Sequence, residues 1–199
     1  MGTPIINIVI IGSGALGREM ISLIDDINSV QIQFQILGFL DDNGLLSSNI
    51  RGYFVLGGSD EIGNHENAQY VIAIANPALR KSMFEKVKLK GKQLPNIIHP
   101  SSKIDKHAAI KWDQIEGNIL AANTFLSCDV HLGNNNFLNV GLILSHDTII
   151  GNHNAIMQGC ILNGLIEVKD ECWIWPGIKI NGRVSLNKTQ VKLDIENYI

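Results

Sequence analysis

From Leu120 onward, every sixth residue is leucine, isoleucine or valine: Leu120, Leu126, Leu132, Leu138, Leu144, Ile150, Ile156, Leu162, Val168, Ile174, Ile180 and Leu186. The chain is 45% hydrophobic, so twelve consecutive hits in a fixed register arise by chance roughly once in ten thousand. A period of six matches neither the 3.6 of an α-helix nor the two of a half-buried strand. It is the hexapeptide pattern of a parallel β-helix. Each unit makes one short strand and a turn, and three units close one triangular coil with the aliphatic side chain inside the prism. Small or apolar residues lie four positions after many members of the series: Thr124, Val130, Leu142, Thr148, Cys160, Cys172 and Val184. Turn formers follow others, as in Gly133-Asn134, Gly151-Asn152 and Asn163-Gly164. Ile98 and Ile104 extend the series upstream. The spacing slips between Ile110 and Gln114, which predicts a bulge or loop at "KWDQ", residues 111–114.

His146 and Asp147 interrupt the apolar repeat within "LILSHDTIIGNHN". His146 stands two residues after Leu144 and two before Thr148, so it projects from a face or corner of the prism rather than into it. A histidine is a general base near neutral pH, and an adjacent carboxylate can orient it or raise its basicity. The same position also suits a plain surface histidine. A flat prism face packed on a second prism would place His146 in a cleft.

The amino-terminal half has a different period. "NIVIIG", ending at Gly12, predicts a buried parallel strand. Gly12, Gly14 and Gly17 fit G-x-G-x-x-G at a strand-to-helix turn, where backbone N–H groups and the helix dipole can hold a phosphate. Tight turns also carry glycine for steric reasons alone. A second strand, "FQILGFLDD", ends at Asp41 and Asp42, whose carboxylates can accept hydrogen bonds from a ribose or a base. A further strand, "YVIAIAN", leads into a helix with Asn76 as cap and Pro77 at its first position. A dinucleotide site needs two such halves. The α/β pattern stops near Pro95, so a mononucleotide site is the expectation.

A formal net charge of -3 without a basic run argues against nucleic-acid binding and against a polybasic membrane anchor. No stretch approaches the ~18 apolar residues of a membrane span. The start lacks a signal-peptide pattern, and Ile6 breaks the myristoylation pattern that Gly2 would begin. Cys128, Cys160 and Cys172 are odd in number and form no CxxC, which favours reduced, core-filling thiols and no metal site. A cytoplasmic protein is expected.

Together, "GSGALGREM", "ILGFLDD", "AIANPALRK", "NIIHPSS", "EGNILAANTFLS" and "SHDTIIGNHN" give the chain a resemblance, over about residues 5–186, to a bacterial enzyme family. It resembles the hexapeptide-repeat sugar acetyltransferases of the sialic acid O-acetyltransferase (NeuD) and nucleotide-amino-sugar N-acetyltransferase (PglD-like) type. The resemblance implies an α/β Rossmann-like sugar- or nucleotide-binding domain, residues 1–96, and a left-handed parallel β-helix acyltransferase domain, residues 97–199. It implies a homotrimer that transfers an acetyl group from acetyl-CoA to a hydroxyl or amino group of a sugar or nucleotide-linked sugar in surface glycan biosynthesis.

Carried over by position, His146 is implied as catalytic base and Asp147 as its acidic neighbour. Gly14, Ala15, Leu16, Gly17, Asp41, Asp42, Ala75 and Asn76 are implied as substrate-binding positions. Gly164 would approach the CoA arm, and Ala155 would face the thioester. Leu16 stands where nucleotide-sugar N-acetyltransferases often have histidine, which favours an O-acetyltransferase or a different sugar. Trp175 reads either as a stacking partner for the donor or as a packing residue. In the trimer, each cleft would pair His146 of one chain with backbone near Gly164 of its neighbour. The transfer would be direct, without metal and without an acyl-cysteine. The rivals are a non-catalytic trimer that binds sugar nucleotides and an acyltransferase using another acyl donor.

Overall fold

The computed structural model describes residues 4–192; Gly2 and the carboxy-terminal residues 193–199 lie outside the described residues. The chain divides into two compact units, residues 1–100 and 101–199.

The first unit is an α/β layer structure. Strands β1 (Ile6–Ile11), β2 (Phe34–Leu40), β3 (Asn49–Ile50), β4 (Tyr53–Gly57) and β5 (Ala68–Ile72) form one sheet in the order β3-β4-β2-β1-β5. All pairs are parallel except β3 with β4. The central strand is apolar on both faces, and Ile8, Val9 and Ile10 are fully buried, as a parallel sheet covered by helices requires. Helix α1 (Ala15–Val30) buries a stripe of Met20, Ile21, Leu23, Ile24 and Ile27. Helix α2 (Pro77–Leu89) begins as its sequence predicts: Asn76 Oδ1 accepts the Leu79 N–H at 3.1 Å, and Pro77 fills the first turn. Arg80 is fully buried and donates from Nη1 to the carbonyls of Ile72 (2.8 Å) and Ile74 (3.0 Å). Burial pushes its guanidinium down to about 9, so it remains a cation at neutral pH and ties α2 to the end of β5. The β3–β4 hairpin was not anticipated from sequence. Its two-residue turn, Arg51 (φ 51°) and Gly52 (φ 95°), has the paired positive φ that suits a tight hairpin.

The second unit is a left-handed parallel β-helix. Its strands stack in three sheets, and between Ile119 and Leu186 each strand pairs with the one 18 residues away. Across the 111–114 interruption the spacing is 22, as in Lys103 with Phe125. Phe137–Leu138 pairs with Ile119–Leu120 below and Ala155–Ile156 above. Ile143–Leu144 pairs likewise with Phe125–Leu126 and Ile161–Asn163. One coil is therefore three hexapeptides. From Leu120 to Ile174 the repeat aliphatics are all buried, none above 7% exposed. Ile180 and Leu186 depart from the expectation and are half-buried, because they sit on the terminal strands of their sheets. Residues 112–114 form a turn, and Gln114 N–H donates to Lys111 O at 2.9 Å, at the predicted interruption.

The corners obey a second period of six. Gly117, Asn123, Asp129, Asn135, Gly141, Asp147, His153, Gly159, Leu165, Glu171 and Gly177 all have φ between 54° and 73°. Most are Gly, Asn or Asp, which adopt this left-handed backbone at least cost. Asparagines 18 residues apart then lock successive coils. Asn136 N–H and Nδ2 both donate to Asn118 Oδ1, at 3.0 and 3.1 Å. Asn154 repeats this pattern on Asn136 Oδ1, at 3.0 Å for both bonds. All three are fully buried, so the ladder satisfies polar groups that would otherwise be costly inside the fold.

Candidate functional site

With 18 residues per coil, Cys128, His146, Gly164 and Gly182 fall in one column along a prism corner. Backbone bonds tie the coils together there: Asp147 N–H donates to Cys128 O (3.3 Å), and Leu165 N–H donates to His146 O (3.1 Å). His146 projects outward from this corner with its side chain 58% exposed. Its Nδ1 lies 2.8 Å from Asp147 Oδ2, which leaves Nε2 as the outward-facing nitrogen. Asp147 thus has two tasks. Its backbone occupies the left-handed corner (φ 56°), and its carboxylate orients the imidazole.

Gly164 lies against the His146 ring of its own chain. A Cβ added there would stand 2.8 Å from both Cε1 and Nε2. Within one chain, then, Gly164 already stands beside His146. Stacking by 18 residues places it one coil away in the same prism. Gly182 continues the column with open space beside it. The resulting slot, about 310 Å³, is lined by Ser145, His146, Asn163, Gly164, Leu165 and Gly182. Beyond Asp147 lies an open, mainly apolar depression of about 480 Å³, which includes Ile149, Leu165, Ile166 and Arg183.

Ala155 is not at this surface. It is fully buried, in register between Phe137 and Trp173, so its side chain cannot face a thioester held outside the prism. Trp175 is partly exposed and already engaged. Its ring stacks near Trp173 (centroids 6.0 Å, interplanar angle 24°), and Lys192 Nζ lies 4.6 Å from its centroid. All three cysteines are free; Cys160 and Cys172 are buried, and Cys128 is half-buried. Burial pushes the Cys160 and Cys172 thiols up, against backbone hydrogen bonds, which keeps both in the poorly nucleophilic protonated form.

In the first unit the three glycines separate by role. A Cβ on Gly12 (φ 100°) would meet Ala73 O at 2.7 Å, and one on Gly17 would collide with Gly12 O. Gly17 is buried, and the Gly12 carbonyl leaves no room there for a side chain. Gly14 has open space around it and caps α1 without a side chain. Gly14 and Ala15 are exposed, and Leu16 is half-buried.

The two aspartates also differ. Asp41 Oδ2 accepts from Ser13 N–H (2.8 Å) and Ser13 Oγ (2.6 Å), while Oδ1 accepts from Asn43 N–H (2.9 Å). Burial alone would push its carboxyl up, but the Ser13, Asn43 and Gly44 bonds outweigh this and hold it below the usual range. Asp41 is thereby committed to holding the glycine turn against the end of β2. Asp42 Oδ1 accepts from Ser59 N–H at 2.6 Å, and Oδ2 takes no hydrogen bond from any described residue. Both aspartates line a cavity of about 200 Å³ at the carboxyl ends of β1 and β2, walled by Ile11, Leu40, Ile74, Leu79 and Met83. Gly14, Ala15, Leu16, Ala75 and Asn76 lie outside that lining, and the Asn76 amide is used as the helix cap. Ser59, Leu79 and Met83 were missed in the sequence, because only the fold brings them to the ends of β1 and β2. Among the described residues, no group of three or more His, Cys, Asp or Glu side chains could hold a metal ion. No helix among them is long and apolar enough to cross a membrane.

Residues 7–87 match the PglD N-terminal domain family. No curated protein matches the chain. Among solved structures, it is similar to the acetyltransferase domain of PglB from Neisseria gonorrhoeae FA1090, at 21% identity and a TM-score of 0.79, covering 93% of this chain and 88% of that one. It is similar to WeeI from Acinetobacter baumannii AYE at 26% identity and a TM-score of 0.74, covering 89% and 81%. It is also similar to a mutant of perosamine N-acetyltransferase from Caulobacter crescentus in complex with CoA and GDP-perosamine. There the identity is 16% and the TM-score 0.74, covering 98% and 97%.

Proposed function

We propose that this chain, whose residues 7–87 match the PglD N-terminal domain family, is a sugar acetyltransferase that uses acetyl-CoA. The acceptor is a hydroxyl or amino group of a nucleotide-linked sugar used in surface glycan biosynthesis. The observation that carries this reading is the His146 column: an imidazole held by Asp147 at Nδ1, with Nε2 over a glycine and beside an open slot. It is supported by fold likeness along nearly the whole chain to an acetyltransferase seen with CoA and a nucleotide sugar.

The chemistry follows from that geometry. His146 Nε2 accepts the proton of the acceptor O–H or N–H as the new O–C or N–C bond forms. The C–S bond of the thioester breaks, and the imidazolium returns the proton to the departing sulfur. Asp147 fixes the tautomer and stabilises the transient positive charge. Such a base contributes typically 10²–10⁴ in rate. Gly164 admits the donor to the imidazole edge because it has no Cβ. Direct transfer fits the protonated, buried state of Cys160 and Cys172. In the first unit, Asp42 Oδ2 is the free acceptor for the nucleotide, and Asp41 holds the turn. Exposed Ile149 (47%) and Val140 (47%) on the prism support a homotrimer, whose neighbouring prisms would shield His146. A cytoplasmic location suits these cytosolic substrates.

The test is to incubate the protein with acetyl-CoA and a panel of UDP-, CMP- and GDP-linked sugars while following thiol release. Release with one nucleotide class, and acetylated product by mass, is expected. Nucleotide-sugar binding without release from any donor would favour a non-catalytic binding protein.

A further inference from the structure

We infer that Leu165 sets the length of the acyl group this chain accepts, by forming the wall against which the acyl methyl ends beside His146. The inference rests on the acyltransferase reading above and adds a specificity residue to it. Eleven corner positions from Gly117 to Gly177 share the left-handed backbone, and Leu165 (φ 58°) is the one aliphatic member. Leucine is disfavoured there, since its Cβ crowds the following carbonyl. A disfavoured backbone persists where the side chain has a use. Core packing is not that use, because Leu165 is 43% exposed.

Its position suggests what the use is. The Leu165 N–H bond to His146 O holds it one coil from the base. Its side chain lines the slot that contains His146, Gly164 and Gly182, and also the depression that begins at Asp147 and Ile149. It therefore partitions the two spaces. A carbonyl carbon undergoing attack must sit within about 3–3.5 Å of a nucleophile that is itself in hydrogen-bond reach of Nε2. With the carbonyl so placed over Gly164, the alkyl end of the acyl group runs into the next side chain, Leu165. An acetyl group ends there. A longer chain would need the partition removed, and would then enter the apolar depression beyond it.

The experiment compares acetyl-, propionyl- and butyryl-CoA on the wild type, Leu165→Gly and Leu165→Asn, with the nucleotide sugar that gives the highest wild-type rate. Calorimetric binding of acetyl-CoA and butyryl-CoA is measured in parallel. Leu165→Gly should shrink the acetyl-over-butyryl preference in kcat/KM by about tenfold or more, the scale of hydrophobic-pocket discrimination. Its Tm should be no lower, since glycine suits the corner. Leu165→Asn, which also tolerates this backbone but keeps side-chain bulk, should retain the acetyl preference. The same proportional loss with all three donors, or an unchanged ratio, would overturn the assignment and mark Leu165 as a packing residue. A wild type that binds neither CoA thioester would overturn the acyltransferase reading as well, and the two failures are distinguished by the binding data.

Discussion

His146 and Gly164 sit one coil apart at the same prism corner, so close that a methyl group on Gly164 would lie 2.8 Å from the imidazole Nε2. The relationship is intrachain and follows from the 18-residue coil. Gly164→Val should therefore abolish turnover without removing the histidine. Co-refolding Gly164→Val with His146→Ala should give mixed oligomers that remain inactive, because each mutation damages the slot of its own chain. Activity recovered in complexes proven to be mixed would show that the two residues meet across chains.

Asp147 combines a backbone task with a side-chain task, and substitutions can part them. Asp147→Gly keeps the left-handed corner and should leave Tm unchanged while lowering kcat. Asp147→Ala should lower kcat similarly and also cost about 1–2 kcal/mol of stability, the cost of placing an ordinary L-residue in that conformation. Thermal melts alongside initial rates check both variants. Equal activity in Asp147→Gly and wild type would remove the carboxylate from the mechanism.

Asp41 and Asp42 should differ in kind. Asp42→Ala should weaken a nucleotide sugar by roughly 1–3 kcal/mol in calorimetry, through loss of a hydrogen bond to a charged group. Asp41→Asn should act first on stability, by about 1 kcal/mol after solvent screening. The sign of its pH dependence is set by the lowered carboxyl. That stabilisation is present above the unfolded value near 3.9 and is lost as pH falls through the lower folded value. The wild-type and Asp41→Asn melting curves should accordingly differ at neutral pH and converge in strong acid.

The asparagine ladder gives a prediction remote from the site. Asn136→Ala removes the acceptor of both the Asn154 N–H and the Asn154 Nδ2, and the donor to Gly151 O. Leaving these buried groups unpaired should cost roughly 2–5 kcal/mol. Denaturant unfolding should show the loss, with little change in KM for the protein that remains folded.

The period of six disclosed the β-helix because the inward aliphatic position of the hexapeptide is filled by Leu, Ile or Val in every unit from Leu120 to Leu186. It equally placed His146 on the outside. What it could not disclose depends on neighbours in other coils. Ala155 is buried because Phe137 and Trp173 flank it on adjacent coils, which no local pattern encodes. The partnership of Gly164 with His146 and the ladder from Asn118 to Asn154 both become visible only once 18 is known to be the coil length. In the first unit the aspartates looked equivalent, and only the Ser13 turn decides which carboxylate is spent. The glycine motif was legible as a turn, yet two of its three glycines, Gly12 and Gly17, answer to backbone crowding.

The central claim is that His146 is the base of an acetyl transfer. The most direct measurement is the rate of thiol release from acetyl-CoA, with the best nucleotide-sugar acceptor, by wild type and His146→Ala under saturating substrates. The account predicts a fall in kcat of about 10²–10⁴-fold with acetyl-CoA binding nearly unchanged in calorimetry. A His146→Ala protein that keeps near-full turnover would contradict it.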